Sequence, residues 1–455
     1  MKKVLPILLL IICLATNLNA QWVSPGEGTT YTFSDLVNIT DGVVTIGENG
    51  FLVNADLTIS AGDVLQINNQ TSRVDFGEVL LTINGSMVCT NTGNNRVKFY
   101  GLNETNHFSM RFENATGCNL KKMYFSDGAG IKVIESDVTF DDVKFVYFTR
   151  DYCNAVIDIF NCDPTIKNCY FMLNHGAAIS SPANGQASPK ILNCDFDTNV
   201  TDNVNTPQIN LGPGGEDTIR IIGNEIYTIM ANWYVGGISV ADLMGTGSTK
   251  VLLKDNIIRE NRYGYNQQGQ TISSVIESNQ FLNNCHEDNP MNGGSGISIY
   301  GTTNNNKAIL RNNLITGNLW GITAIYYHDI NMGTEEDWGY NEIHDNGNGG
   351  EVYDLYNNST SCDIMAVGNK WGTTNYDEIE DHIFHKNDDP SLGLVTFYPY
   401  VGSEGLEEPT LDFSQIDLST ATIYTVTGQR VNSLSLKPGV YVILSEKGTR
   451  KILIQ

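Results

Sequence analysis

Residues 310–322 read LRNNLITGNLWGI, with Asn313 and Asn318 five positions apart among leucine and isoleucine. Asparagine is a poor choice for the interior of a helix or a strand. Here it stands at fixed distances from apolar residues that alternate with polar ones. The same arrangement returns in TIKNCYFMLNHGAAIS (165–180), KILNCDFDTNV (190–200), VLLKDNIIRENRYGYN (251–266), VIESNQFLNN (275–284) and WGYNEIHDNGNGG (338–350). The first marked position holds Cys169, Cys194, Asn224, Asn256, Asn279, Asn313, Asn341 and Asn369, at intervals of 25, 30, 32, 23, 34, 28 and 28 residues. Five positions later come Asn174, Asn199, Asn261, Asn284, Asn318 and Asn346, with Ile229 as the exception.

Apolar alternation argues strand, and no repeat contains a helical period of useful length. Short strands and turns recurring every ~20–30 residues are the mark of a β-solenoid, whose coils bury their inward residues against one another. A turn that recurs at one angular position stacks the same side chain coil upon coil. An inward asparagine there bonds its own turn and the next amide, so that no buried polar group is left unpaired. Asparagine also tolerates the left-handed backbone that tight turns need. The eight marked residues are therefore read as a structural ladder, with Cys169 and Cys194 continuing it as small buried residues.

The pattern over roughly residues 50–400 resembles the right-handed parallel β-helix proteins of the pectate-lyase-like superfamily. The resemblance implies an all-β fold, a right-handed parallel β-helix over 51–404, and leaves activity open, because one fold hosts many functions. Residues 21–50 are the expected N-terminal cap, since an uncovered first coil would pair with other chains. At the other end, Asn369, Trp371, Gly372 and Thr373 begin a segment similar to the ending of many exported β-helix proteins. Trp371 is expected to plug the core there. His382 and His385 lie three apart in this segment, but spacing fixes no third ligand for a metal.

The chain opens MKKVLPILLLIICLATNLNA, where Lys2 and Lys3 precede a short apolar run. Residues 1–20 read as a secretory signal peptide. No later segment is apolar enough to cross a bilayer. Residues 405–455 read as a small β-sandwich-like domain. Gly428, Gly439, Val440, Tyr441 and Lys451 resemble the C-terminal sorting domain of type IX secretion substrates. That likeness implies a Bacteroidetes-type bacterium, a partner in the type IX machinery, and a protein that is secreted or held on the outer-membrane surface.

The net charge of -24 argues against nucleic acid and anionic lipid as partners. The charge serves solubility or, as a sharper reading, calcium binding, since hard cations take carboxylate oxygens, and it does not choose between them; no cofactor is assigned. Eight cysteines follow the signal segment without a CxxC pair, so zinc is not indicated. Asp195 and Asp197 flank Phe196 and should face outward together, as solvated carboxylates or as an acid and base. The polygalacturonase type of hydrolase needs a Gly-His-Gly motif that this chain lacks.

If asparagine is scaffold, recognition lies in what the scaffold displays. His175, Tyr263, Ser295 and Trp320 each precede a turn glycine and should share one column. Segments 285–295 and 326–338 are expected to rise on the same side. The candidate ligand-binding residues are Tyr263, Trp320, Tyr326, Tyr327 and His328, with aromatic faces for sugar rings. The reading is a secreted or cell-surface protein that binds carbohydrate or another surface partner without catalysis. A polysaccharide lyase acting in a lateral groove is the alternative, and no catalytic residue is assigned.

Overall fold

A computed structural model describes residues 21–68, 71–91, 93–102, 107–245, 247–289, 293–303, 305–348 and 351–403, and four strands beyond them. The expected signal peptide, 1–20, and Gly428 lie outside the described residues. The chain divides into two compact units, 1–400 and 401–455.

The larger unit is a parallel β-helix. Each coil contributes one short strand to each of three long sheets, of 14, 14 and 13 strands among the described residues. Sheet 1 runs from Trp22–Val23 to Ile383–Phe384, sheet 2 from Thr30–Tyr31 to Val395–Thr396, and sheet 3 from Val44–Ile46 to Glu342–His344. Within these three sheets neighbouring strands are in parallel register, except where Val44–Ile46 turns back on Phe51–Val53. Within each strand alternate residues point inward. Phe145, Phe171 and Phe196 stack in sheet 3 with ring centroids 4.7 and 5.0 Å apart, close to the strand spacing that the coils impose.

The N-terminal end is closed by the helix Phe33–Ile39, started by a capping box between Thr32 and Asp35. Its Phe33 and Leu36 are wholly buried. Asp63, also buried, accepts from the backbone N–H groups of Gly26 and Thr29 at 2.8 Å each and ties this segment to the first coil. At the other end Trp371 is buried against Phe397. The eight cysteines among the described residues are all unpaired.

The marked asparagines lie at the corner between sheets 2 and 3. Each receives on Oδ1 the backbone N–H of its predecessor: Cys194 to Asn224 at 2.8 Å, Asn224 to Asn256 at 2.9 Å, Asn256 to Asn279 at 3.0 Å, Asn279 to Asn313 at 2.9 Å, Asn313 to Asn341 at 3.1 Å and Asn341 to Asn369 at 3.0 Å. Cys169 donates its N–H to the sulfur of Cys194. The left-handed backbone is not theirs, however. It belongs to the residue before each, such as Asn168, Asn193, Asp255, Ser278 and Asn312. The turn needs two residues with separate tasks: one reverses the chain, and the next fills the corner.

A second column lines the corner between sheets 3 and 1. Asn174 donates to Asn199 at 2.6 Å, and Asn261, Asn284, Asn318 and Asn346 follow in series. Where Ile229 interrupts the pattern, Gln208 supplies the missing amide. It accepts from Asn199 at 2.9 Å and donates to Asn261 at 3.2 Å, while Ile229 is left exposed.

In the smaller unit the described strands Thr422–Thr425, Arg430–Val431, Gly439–Ser445 and Gly448–Ile454 form one antiparallel sheet, in the order Arg430–Val431, Thr422–Thr425, Gly439–Ser445, Gly448–Ile454.

Candidate functional site

The sheet 1 strands place Ile157, Ile159, Ile179, Ile209, Ile238, Val240, Ile297, Ile299 and Ile322 in the core. The residues between them therefore face outward. Arg111, Lys132, Asp158, Ser180, Asn210, Ser239, Asn266, Ser298, Thr323, Tyr356 and Phe384 are successive cross-strand partners. They make one file along the outer face, cationic at one end, short and polar in the middle, aromatic at the other.

Connections from sheet 3, including 199–208, 228–237 and 283–289, border this file on one side. Connections to sheet 2, including 181–189, 212–217 and 243–245, border it on the other. The face is thus the floor of a trough.

A cavity of about 330 Å³ opens in it, lined by Arg150, Asn154, Asp158, Ser180, Ser181 and Asn210, with Val204 and Thr206 on one wall. Ser180 donates to Asp158 at 2.7 Å. Burial raises the Asp158 carboxyl above its ordinary value, against the opposing pull of Ser180 and Lys132. Lys132 lies 4.7 Å over the ring of Tyr152. On the rim Asp202 holds His175 at 3.1 Å and Arg150 at 3.3 Å. The cavity thus offers a carboxyl, a guanidinium, hydroxyls and amides at short range.

The five residues singled out for ligand binding are not brought together. Tyr263 and Trp320 stand where the chain enters sheet 1; Tyr326, Tyr327 and His328 stand where it leaves. A seven-residue strand, Trp320–Tyr326, separates the two groups, a span of roughly 20 Å. Trp320 does sit in register with Ser295. But it is closed off, only 6% exposed, because the next coil brings Tyr356 flat against it at 4.5 Å and Tyr353 edge-on at 5.3 Å. Apolar ring faces bury one another. Tyr263 is half-buried, its ring laid across Gly236, where an added Cβ would meet it at 2.1 Å.

His328 is buried at the corner between sheets 1 and 2. Its Nε2 lies 3.1 Å from Oδ1 of Asn357 and so carries the proton. Tyr326 and Tyr327 are exposed, with Tyr326 edge-on to Tyr300. Segment 326–338 is not one loop on the expected side. It contains the sheet 2 strand Asp329–Asn331, and the stretch after that strand turns the corner towards sheet 3.

Asp195 and Asp197 do flank the buried Phe196 on the outer face of sheet 3. Burial, Glu225 and Asp197 together raise the Asp195 carboxyl. His382 and His385 serve different partners: His382 faces Asp354, while His385 sits between Glu380 and the N–H of Val395. Among the described residues no group of three or more His, Cys, Asp or Glu side chains is placed to hold a metal ion. A second cavity, of about 390 Å³, opens at the C-terminal end between Glu342, His344, Asp345, Thr373, Glu378 and His382.

The Asp158 cavity went unread because its residues share no spacing along the chain. The available signal was the small polar residue between two core positions in each sheet 1 strand.

A family model described as a protein of unknown function, DUF1565, matches residues 265–375. No curated protein matches the chain. Crystal structures of the periplasmic alginate epimerase AlgG are similar in shape. A mutant form is 10% identical, covering 81% of this chain and 82% of that one with a TM-score of 0.49. The unmutated form is 11% identical, covering 82% and 81% with a TM-score of 0.48.

Proposed function

We propose that the protein is an exported β-helix that binds carbohydrate in the trough over sheet 1, without catalysis. The observation that carries this is the Asp158 cavity. Its lining is a compact set of hydroxyl, amide, carboxyl and guanidinium groups on the sheet and on the connections beside it, which suits the hydroxyl groups of a sugar. Parallel strands repeat at about 4.8 Å, so the file continues with the same polar character past the cavity. A chain of sugars can then be held at several coils. Export rests on residues 1–20, and surface attachment through the type IX machinery rests on residues 405–455.

The enzymatic alternative, a polysaccharide lyase or a related carbohydrate enzyme, is favoured by one feature. Asp202 orients the imidazole of His175 at 3.1 Å on the rim of the same cavity, the arrangement a general base requires.

A glycan array probed with the native protein and with an Asp158→Asn, Asn210→Ala double variant tests the binding reading. Binding that the double variant loses while it remains folded supports it. Equal binding by both removes the cavity. Unsaturated products released from acidic polysaccharides by the native protein, and not by His175→Ala, would replace the binding reading with the enzymatic one.

A further inference from the structure

Six of the large apolar side chains exposed on the solenoid gather at one coil. Ile229, Met230, Trp233 and Tyr234 precede the sheet 1 strand Ile238–Asp242, and Leu243 and Met244 follow it, all exposed. The scaffold does not require the first group. The amide that this coil lacks is supplied by Gln208, and the segment's own core anchor is the buried Val235. Exposed apolar clusters of this kind mark interaction sites.

The lip is fixed in place. Asn203 accepts the N–H of Tyr234 at 3.0 Å, and Arg262 lies 5.8 Å over the Tyr234 ring. Arg262 also donates to Asn205 at 2.7 Å. Asn203 and Asn205 belong to the wall whose Val204 and Thr206 line the Asp158 cavity. The lip is thus an extension of that wall.

What lies between the lips identifies the occupant. Ser239 and Ala241 face outward from the strand, and Asn266 donates to Ser239 at 3.1 Å. The lips stand about 17 Å apart across five residues. A lipid chain or an apolar helix laid there would strip water from hydroxyl and amide groups without replacing it. A pyranose ring has apolar faces and a rim of hydroxyls, and matches the Trp233 lip together with the polar floor beside it.

We infer that this coil is a second saccharide subsite, with Trp233 as the stacking platform, backed by the Tyr234 ring at a centroid separation of 3.5 Å, and Asn266, seated on the buried Ser239, as the polar floor. It rests on the carbohydrate reading above. It predicts that a bound chain spans two neighbouring sites, the Asp158 cavity and this platform.

The test is affinity electrophoresis of the full chain through gels containing xylan, laminarin, hydroxyethylcellulose, pectin or alginate. The native protein is compared with Trp233→Ala, Tyr234→Ala and with Asp158→Asn, Asn210→Ala, each double variant checked by circular dichroism. The expected result is retardation of the native protein in at least one gel, weakened about tenfold or more in the platform variant. Retardation lost in the cavity variant but kept in the platform variant overturns this subsite and leaves the carbohydrate reading standing. No retardation of the native protein in any gel overturns both. A dimer in sedimentation velocity that the platform variant dissolves, with retardation unchanged, makes the patch an interface between copies and also overturns the subsite.

Discussion

Oδ2 of Asp354, a wholly buried carboxylate, lies 3.3 Å from Nδ1 of His382. The pair terminates the second asparagine column, since Asn346 donates its side-chain N–H to Oδ1 of Asp354 at 2.8 Å. Each amide in that column passes its N–H to the next oxygen, and the last acceptor is a charge that needs a counter-charge. The neighbouring Asp354 carboxylate raises the His382 pKa above its ordinary value, with burial opposing it. A histidine raised in the folded state contributes stability that is complete below the unfolded pKa of about 6.5 and lost as pH climbs through the folded pKa. The melting temperature should therefore fall as pH is raised from about 6 to 8, and His382→Gln should remove that slope. An unchanged slope in the variant would show that the pair does not hold the end of the column.

His328 should behave in the opposite sense. Burial lowers its pKa, and Nδ1 has no hydrogen-bond partner among the described residues. A buried neutral imidazole resists protonation, so the folded state loses stability as pH falls below the unfolded value of about 6.5. In the native protein the imidazole signals of His328 should titrate at lower pH than those of His382. A reversed order in a proton-detected titration would contradict both assignments.

Asn279 donates to the carbonyl of Leu253 at 2.8 Å and to Oδ1 of Asn313 at 3.0 Å, while accepting from Asn256. Asn279→Leu removes these side-chain bonds and leaves the buried backbone N–H of Asn256 without its acceptor, and should cost about 1–3 kcal/mol. Gln208→Leu should cost a similar amount, because Asn199 and Asn261 then lose their bridge. Denaturant titration measures both; a cost near zero for Gln208→Leu would mean that water replaces the bridge.

Trp320 separates packing from binding. Its stack with Tyr356 predicts that Trp320→Ala lowers stability by about 3–5 kcal/mol, the range for removing a large buried aromatic. Any glycan retention by the Asp158 cavity should survive. Loss of retention with unchanged stability would restore Trp320 as a contact residue.

Deleting residues 405–455 should leave the melting of the β-helix nearly unchanged, since the chain divides at 400/401. In a host with type IX secretion it should abolish surface attachment. Collapse of the β-helix melting transition would show that the division is not an energetic one.

The sequence by itself determined the solenoid. Alternation of period two and asparagines recurring near every 28 residues are local, repeated signals, and stacking coils amplifies any pattern that every coil shares. It also marked which residues fill the corner between sheets 2 and 3, because a buried amide at a repeating turn has few other uses. What it did not determine is which residues meet where nothing repeats. Gln208 fills the gap at Ile229 from twenty-one positions away along the chain. Asp158 gains its cavity from Arg150 and Thr206, which lie on connections of unequal length. Trp320 loses its exposure to Tyr353 and Tyr356 of the following coil. Those outcomes depend on how far each loop reaches and on which neighbour removes its water, and only the folded packing of one coil on the next decides that.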